Sequence, residues 1–385
     1  MKSVTILGAT GSIGRSTLDL VARNPDRFDV WGLTANKDVA ALAAAARKVG
    51  ARQAVVGDPA LYRALVEALS GSGIEAAAGP EAVVAAAGSG ADLTMAAIVG
   101  TAGLQPVMAA LKSGCTVALA NKESLVSAGD VMMSVARSSG ATVLPVDSEH
   151  NAIFQCFDLA QPGAVSRIIL TASGGPFRDR SRADMERVTP AQAIAHPNWS
   201  MGAKTSVDSA TLMNKGLELI EAFHLFPLSA EGFDAVIHRQ SVVHSLVEYV
   251  DGSVLAQLGA PDMRIPIAYT LAYPERMETP CERLDLVAIG RLDFEQPDLE
   301  RFPALGLAKA ALRDGGSKPA ILNAANEIAV SAFLESRICF LDIATIASET
   351  LNRYDPPPPQ SIDEVLEVDR EARAISAGLV GKDTL

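Results

Sequence analysis

Two carboxylates separated by one residue, Asp147 and Glu149, directly follow the apolar stretch 142–146. If this stretch is a strand that continues in extended form, both side chains point to the same side. Carboxylate oxygens are preferred ligands of Mg²⁺ and Mn²⁺, so the pair predicts a divalent-metal site, although Asp-x-Glu is also common by chance. His150 follows as a metal ligand or catalyst, or, as we favour, as a hydrogen-bonding residue at a helix start.

A glycine-rich loop at residues 8–14 has the pattern Gly-x-x-Gly-x-x-Gly. It follows the apolar stretch 4–7 and precedes a helical pattern. Glycines allow the backbone to approach a pyrophosphate, and a helix N-terminus adds N–H groups and a positive dipole. The loop therefore predicts dinucleotide binding, with a purely structural tight turn as the alternative.

The end of the second predicted strand indicates which dinucleotide is bound. An NAD site usually has an acidic residue here that holds the ribose 2′-hydroxyl. This chain has the neutral residues Thr34–Asn36 and then Lys37, which suit a 2′-phosphate and therefore NADP. Asp38 opposes that interpretation unless its carboxylate caps the next helix.

The stretch 206–220 predicts a helix that begins at Asp208 or Ser209, since both are good N-cap residues. Asn214 and Lys215 then share one helix face with Glu218. A glycine at position 216 weakens the helix, so we expect another element to approach its backbone closely. The alternative is a surface helix with an ordinary Lys–Glu pair.

Three further segments carry polar groups suited to ligands. Residues 173–177, Ser-Gly-Gly-Pro-Phe, offer a hydroxyl and N–H groups to an anion. Residues 196–202 form a polar loop that contains Trp199, which predicts a lid over a ligand, or else a loop fixed to the core by that ring. Lys122 begins a helix after a strand, at the rim of a cleft or as an exposed lysine.

The elements that must position these residues alternate between strand and helix up to residue 147. Apolar stretches predict strands and periodic segments predict helices, which together indicate βαβ units and a parallel sheet with its ligand at the C-terminal strand ends. The predicted strands are 4–7, 30–33, 54–56, 93–98, 116–120 and 142–146, and the helices include 16–23, 39–49, 61–69 and 104–112.

The second half of the chain predicts an α+β region and then helices. Strands are expected at 167–171, 235–237 and 241–250, and Asp251-Gly252 predicts a hairpin that pairs 245–250 with 253–258 in an antiparallel sheet. One face of that sheet is a candidate dimer interface. Segments 304–312, 319–335, 343–354 and 362–377 predict a helical bundle. The expected division is 1–147, 148–277, a linker at 278–299, and 300–385.

Composition excludes several classes of function. The chain has 385 residues, of which 49% are hydrophobic and 20% charged, as expected of a globular protein. Its net charge of −12 argues against a general nucleic-acid binder. The four cysteines are scattered and suit reduced thiols. We see no signal peptide or membrane span, so we expect a cytoplasmic protein.

Taken together, these segments resemble the 1-deoxy-D-xylulose 5-phosphate reductoisomerase family over nearly the whole chain. That resemblance implies an α/β fold with an N-terminal Rossmann-like parallel sheet, a central α+β catalytic domain and a C-terminal helical bundle. It also implies an NADPH-dependent oxidoreductase of the non-mevalonate isoprenoid pathway, which uses Mg²⁺, Mn²⁺ or Co²⁺ and forms a homodimer. The motifs that carry the resemblance are LGATGSIGRSTLDL, ALANKESLV, PVDSEHNAIFQC, TASGGPF, HPNWSMG, SVDSATLMNKGLELIEA and LAQLGAPDMRIP.

The resemblance also implies roles for individual residues. The metal ligands would be Asp147, Glu149 and Glu218. A helix N-terminus at Ser209 would also suit the phosphate group of the substrate. The cofactor residues would be Thr10, Gly11, Ser12, Ile13, Asn36, Lys37, Asp38, Asn121, Glu123 and Gly202. The substrate residues would be Lys122 and Ser148 at the hydroxyl end, Ser173, His196, Ser209, Asn214 and Lys215 at the phosphate end, and Trp199 on the lid, with Lys122 and His196 also counted as catalytic.

Two other functions remain open from the residues. A semialdehyde-type two-domain NADP-dependent dehydrogenase also pairs this glycine loop with an α+β domain, but it needs a nucleophilic cysteine. Cys115 precedes a strand and Cys156 lies in an apolar-rich segment, so neither is well placed. A redox-sensing NADPH-binding protein would explain the first domain, but not the carboxylates or the lid.

Overall fold

The computed structural model describes residues 1–195, 199 and 201–380. Two compact units make up the chain. The first contains Met1–Ser124, Met132–Asn151 and Asp262–Glu282, and the second contains the remaining segments, Leu125–Val131, Ala152–Pro261 and Arg283–Leu385. This division differs from the boundaries expected at 147, 277 and 299, which stay a prediction.

The described residues form strands and helices in the following chain order. The strands are β1 Lys2–Leu7, β2 Phe28–Ala35, β3 Gln53–Val56, β4 Glu75–Ala78, β5 Leu93–Ala96, β6 Thr116–Leu119, β7 Thr142–Pro145, β8 Val165–Ala172, β9 Phe233–Ile237, β10 Val243–Tyr249 and β11 Val254–Leu258. The helices are α1 Ser12–Arg23, α2 Val39–Val49, α3 Tyr62–Ala68, α4 Pro80–Ala87, α5 Leu104–Lys112, α6 Lys122–Ser139, α7 Ser148–Cys156, α8 Arg182–Met185, α9 Pro190–Ile194, α10 Ala203–Thr211, α11 Met213–Leu225, α12 Arg264–Ala272, α13 Leu286–Ile289, α14 Pro303–Asp314, α15 Lys318–Leu334, α16 Asp342–Arg353 and α17 Ile362–Val380.

The first unit is built on a parallel sheet, as the alternating pattern predicted. Its strand order is β4-β3-β2-β1-β5-β6-β7, and every pair is parallel. The order reverses at β1, which pairs with both β2 and β5, and ligands of such sheets bind where this reversal occurs. Fully buried Ile6, Leu33 and Met95 belong to the core beside the α12 residues Ile267 and Leu271. Because α12 packs into this core, a late segment of the chain belongs to the first unit.

The second unit contains a four-stranded sheet of order β11-β10-β8-β9. The predicted hairpin is confirmed, since β10 pairs antiparallel with β11 and Glu248 lies opposite Val254. The sheet is mixed and not purely antiparallel as expected, because β8 pairs in parallel with β9. The C-terminal helices α14 to α17 lie within three residues of their predicted bounds. Together these units confirm the expected α/β fold class.

The predicted helix over 206–220 is wrong at its start and in its continuity. α10 begins at Ala203 with Gly202 as its N-cap, so Ser209 lies inside a helix. Asp208 does not cap the helix because its buried carboxylate accepts hydrogen bonds from Lys204 Nζ at 2.8 Å and Asn326 Nδ2 at 2.7 Å. Leu212, at φ 63°, then separates α10 from α11.

Among the described residues, no helix is both long enough and apolar enough to cross a membrane.

Candidate active site

The glycine loop after β1 leaves no room for side chains. Gly8 has φ 75°, and a Cβ there would lie 2.6 Å from the carbonyl oxygen of Ala97. A Cβ on Gly14 would overlap the backbone at Gly8 and Ala9. The loop is held to β2, since Gly8 N donates to Thr34 Oγ1 at 3.0 Å and Ala9 N donates to the Thr34 carbonyl at 2.7 Å. Gly8 therefore provides the tight turn, and Gly14 the close helix–strand packing, that this glycine pattern supplies in dinucleotide-binding loops.

The N-terminus of α1 is suited to an anion. The helix begins at Ser12, with Gly11 as its N-cap, and no side chain caps the first turn. That turn also contains no acidic residue. Its N–H groups and dipole therefore favour a negatively charged ligand, as the loop pattern predicted.

The residues that follow β2 are exposed, and Asp38 among them caps the next helix, as NADP binding at this position requires. Its carboxylate accepts a hydrogen bond from Ala41 N at 3.0 Å and caps α2. Asn36 and Lys37 are exposed beside it. The acid therefore has a structural use, and Lys37 remains suited to a 2′-phosphate.

A second polar group in the first unit surrounds Asp147, after β7. The prediction that the chain stays extended from Asp147 to Glu149 is wrong, because Glu149 lies in the first turn of α7. The Asp147 carbonyl and carboxylate accept backbone N–H groups from the start of that helix. Lys122, at the start of α6, forms an ion pair with Asp147, and Ser148 Oγ donates to Glu149 Oε2 at 2.6 Å. His150 is fully buried, with Nδ1 3.9 Å from Asp147 Oδ2. The structure thus brings a lysine, a serine and two acids together at the C-terminal strand edge.

The Asn121 side chain has structural partners. Its Oδ1 accepts from Ser124 N at 3.0 Å and caps α6, while its Nδ2 donates to the Gly100 carbonyl at 2.9 Å. Glu123 is buried beside it. Contact of either residue with a cofactor stays a prediction.

In the second unit, α11 presents the expected polar face. Asn214 Nδ2 and Lys215 Nζ both donate to the Glu218 carboxylate. Lys215 is 3% exposed and Glu218 is 1% exposed. A carboxylate this deeply buried requires such partners, so an ordinary surface Lys–Glu pair is excluded.

The loop after β8 lies against α10 at Ser209. Gly175 has φ 67°, and a Cβ there would lie 2.7 Å from the Ser209 carbonyl oxygen. Gly175 N donates to Ser173 Oγ at 3.1 Å. The structure therefore brings Ser173 and Ser209 into one region, but Ser209 offers a hydroxyl and not a helix N-terminus.

Of the predicted lid, His196 lies outside the described residues. Trp199 is half-buried, and its ring centroid lies 6.1 Å from that of His244 on β10. Sequence reasoning missed His244, which is 7% exposed within an apolar strand. A histidine in such a strand was the available signal.

The thiols do not suit the nucleophile that a semialdehyde-type dehydrogenase would need. Burial raises the pKa of the Cys156 thiol above its ordinary value, whereas a catalytic thiol needs a lowered pKa. Cys115 Sγ lies 3.4 Å from the Ala110 carbonyl, as a donor to that oxygen. That alternative is therefore not favoured.

The fold and these polar groups are those of a dinucleotide-binding α/β enzyme that has a second unit of the kind that binds a substrate. Three family models match successive parts of the chain. The 1-deoxy-D-xylulose 5-phosphate reductoisomerase model matches residues 4–129, and the model of the C-terminal domain of that enzyme matches residues 143–226. The DXP reductoisomerase C-terminal domain model matches residues 258–375. The chain belongs to the 1-deoxy-D-xylulose 5-phosphate reductoisomerase family.

Relatives of this name match along the whole chain. The protein from Zymomonas mobilis is 60% identical over 379 residues and covers 98% of both chains. That from Caulobacter vibrioides is 54% identical and covers 99% of this chain and 97% of its own. The solved structure of the Z. mobilis reductoisomerase in complex with NADPH has a TM-score of 0.95 at 58% identity, with 99% of each chain covered. A DOX-P reductoisomerase in complex with NADPH, fosmidomycin and magnesium has a TM-score of 0.94 at 44% identity, covering 99% of this chain and 98% of its own.

Proposed function

We propose that this protein catalyses the NADPH- and divalent-metal-dependent rearrangement and reduction of 1-deoxy-D-xylulose 5-phosphate to 2-C-methyl-D-erythritol 4-phosphate. This oxidoreductase step belongs to the non-mevalonate route to isoprenoid precursors. The observation that carries the proposal is 60% identity to a relative of that name over 98% of both chains. The glycine loop, and the use of the Asp38 carboxylate as the N-cap of α2, support NADPH as the cofactor.

The cofactor would lie along the C-terminal ends of the parallel strands. We assign the pyrophosphate to the α1 N-terminus and the 2′-phosphate to the exposed residues that follow β2. A helix N-terminus without a side-chain cap favours the first assignment, and the charge of Lys37 favours the second. The proposed cofactor residues are Thr10, Gly11, Ser12, Ile13, Asn36, Lys37, Asp38, Asn121, Glu123 and Gly202.

For the metal we propose the carboxylates of Asp147, Glu149 and Glu218. Three carboxylates more than balance a divalent charge and, at six-coordination, leave positions for two substrate oxygens. When bound, Mg²⁺ or Mn²⁺ supplies Lewis-acid polarisation of the substrate's ketol oxygens. Lys122 Nζ, which is ion-paired with Asp147, supplies a positive charge at the hydroxyl end of the sugar, and Ser148 provides a hydroxyl there.

The phosphate end would be bound by residues of the second unit. Ser173 and Ser209 offer hydroxyls from neighbouring backbone segments, and Lys215 offers a charge-assisted bond. Asn214 adds an amide next to Glu218. Trp199, with His196, would cover the substrate and exclude water from the aldehyde before its reduction.

The deciding experiment mixes the protein, NADPH, Mg²⁺ and 1-deoxy-D-xylulose 5-phosphate and follows the absorbance of the reduced nicotinamide. We expect oxidation that requires both the metal and the substrate and yields the branched polyol phosphate. NADPH binding with no oxidation would refute the proposal and favour a redox-sensing binding protein. Loss of turnover on cysteine alkylation would instead favour the semialdehyde-type dehydrogenase.

We also propose a homodimer in a cytoplasmic setting. The edge strand β11 exposes Val254 and Leu255 to 47% and 50%, and α13 exposes Val287 to 91%. Apolar side chains this exposed fit a self-complementary interface, and analytical ultracentrifugation would detect the dimer. The four cysteines are unpaired, which suits a reducing compartment, and cell fractionation tests that location.

A further inference from the structure

The loop that carries Ser173 has an unusual set of anchors. We call residues 173–180 the anion loop. Gly174 and Gly175 within it have φ 82° and 67°, so its backbone leaves the regular strand geometry at once. The hydrogen bond from Gly175 N to Ser173 Oγ is internal to the loop. Arg178 NH1 also donates to the Ser173 carbonyl at 2.9 Å within the loop, and two arginines from outside the loop add further hydrogen bonds.

Arg301, two residues before the start of helix α14, supplies one such contact. Its NH1 group donates to the carbonyl oxygens of Arg178 and Arg180, at 2.9 Å each. Its Nε donates to Asp298 Oδ2 at 2.7 Å, which orients the guanidinium. A planar guanidinium can make these bonds at the same time, which the point charge of a lysine does not reproduce.

Arg239, just after β9, supplies a second contact. Its NH1 and NH2 groups donate to the two carboxylate oxygens of Asp179, at 2.9 and 2.7 Å. The same guanidinium donates to Glu295 at 2.5 and 3.1 Å. These hydrogen bonds from Arg239 hold the pKa of Asp179 and that of Glu295 below their ordinary values.

Both arginines are held on their other side by one acidic stretch, residues 293–298, which sequence analysis treated as part of a linker. Glu295 also pairs with Ile237 through two backbone hydrogen bonds, at 2.8 and 2.9 Å. The stretch is therefore attached to the second sheet. Two of its three acids, Glu295 and Asp298, each orient an arginine that reaches the anion loop.

We propose that Arg301 and Arg239 are positioning residues that hold the anion loop in its ligand-binding shape, and that residues 293–298 are the anchor for both. The identity of the ligand, the phosphate group of the substrate, rests on the proposed function. Arg301 has the larger effect because it bonds backbone carbonyls. The Arg239 ion pairs involve exposed carboxylates, which salt screens.

The expected effects follow from the number of hydrogen bonds lost. One hydrogen bond contributes about 1 kcal/mol, or about fivefold in an equilibrium constant. Arg301→Lys should therefore raise the KM for the sugar phosphate by up to about fivefold, and Arg301→Met, which loses both carbonyl bonds, by up to about thirtyfold, since the apparent affinity falls with the fraction of molecules whose loop keeps its binding shape. Asp298→Asn should raise the KM less than either Arg301 variant, since Arg301 and its carbonyl bonds remain. In all three, kcat and the Kd for NADPH should stay within about twofold.

Two measurements accompany the kinetics. Inorganic phosphate serves as a competitive probe, and its Ki should rise by the same factor as the KM. Hydrogen exchange, read on peptides covering the anion loop, should be faster in the arginine variants. Glu300→Gln is the matched control, because Glu300 is an exposed acid beside the same stretch and its carbonyl, not its carboxylate, contacts Arg182. It should change neither readout.

Faster exchange together with a raised KM and phosphate Ki supports the proposal. Unchanged exchange in Arg301→Met, or faster exchange without a change in phosphate Ki, overturns it. If the wild-type protein shows no turnover, the proposed function has failed, and exchange and phosphate binding alone decide whether the arginines hold the loop. Asp298→Asn keeps the test valid if an Arg301 variant does not fold.

Discussion

Replacing Gly216 with alanine tests whether the polar face of α11 depends on its packing against α14. Gly216 lies between Lys215 and Glu218, and a Cβ there would overlap the Cβ of Ala308 on α14. Nonbonded carbon atoms approach only to about 3.5–4.0 Å, so the helices must separate by roughly 1 Å. The sequence predicted such a close approach, and the structure identifies α14 as its source.

The magnitude follows from two opposing effects. In an open helix, Gly→Ala stabilises by about 1 kcal/mol because it reduces the freedom of the unfolded chain. Overpacking a close contact costs about 1–3 kcal/mol. Ala308 is fully buried and has no solvent into which to move, so the cost lies in the upper part of that range, about 2–3 kcal/mol, and the net loss is about 1–2 kcal/mol. At about 2–4 °C per kcal/mol, the melting midpoint should fall by about 2–8 °C.

Activity should fall more than stability suggests, because α11 carries three proposed site residues. A displacement of about 1 Å can reduce a rate by up to about 100-fold. We expect kcat/KM to fall at least about tenfold, while the Kd for NADPH stays within about twofold. Thermal unfolding, steady-state kinetics and NADPH fluorescence measure the three quantities.

Gly306→Ala is the matched control, since Gly306 lies on α14 and a Cβ there meets nothing within 4 Å. That variant should be neutral or slightly stabilised. Adding Ala308→Gly to Gly216→Ala moves the methyl group to the other helix and should recover part of both losses. A Gly216→Ala protein as stable and active as the wild type would refute the packing argument.

Three further predictions concern the metal, the cofactor and pH. Glu218→Gln and Asp147→Asn should each abolish turnover and leave the NADPH Kd within about twofold, because a neutral amide is a poor ligand for Mg²⁺; a variant that keeps most of its activity contradicts the metal assignment. Lys37→Ala should raise the KM for NADPH about tenfold, as expected for losing a charged hydrogen bond, and leave the KM for NADH unchanged; an equal rise for both would place the 2′-phosphate elsewhere. Burial lowers the pKa of His224 below its ordinary value of 6.5, against the opposing effect of Asp130. Below pH 6.5 the folded protein therefore binds fewer protons at this site than the unfolded chain does. The contribution of neutral His224 to stability is complete above pH 6.5 and is lost as the pH falls further. The melting midpoint should therefore fall less steeply below pH 6.5 in His224→Phe than in the wild type, and parallel curves would contradict this.

Local patterns predicted the elements that local chemistry specifies. α2 and α5 have the bounds that periodicity indicated, and the strands next to the glycine loop were placed within a few residues. β4 was missed because its sequence, Glu-Ala-Ala-Ala, has little β propensity. The neighbouring strand β3 determines this strand by pairing along its whole length.

Contacts between distant residues explain most of what sequence reasoning missed in the site. Asp208 looked like an N-cap, but its partner Asn326 is 118 residues away. The anchors of the anion loop, Arg239 and Arg301, follow its last residue by 59 and 121 positions. No spacing rule connects such residues, since only the folded chain brings them together.

The break at Leu212 shows why this difference matters for the proposed chemistry. In one continuous helix, Ser209 and Asn214 would lie about 140° apart around the axis, since each residue turns about 100°. They could not both face one phosphate. Leu212 adopts φ 63°, which costs about 1–2 kcal/mol in a residue with a side chain. Its side chain is 3% exposed, and burying a leucine contributes about 1.5–3 kcal/mol. Burial therefore offsets the strain, and the left-handed turn frees the two helices to present their polar residues independently.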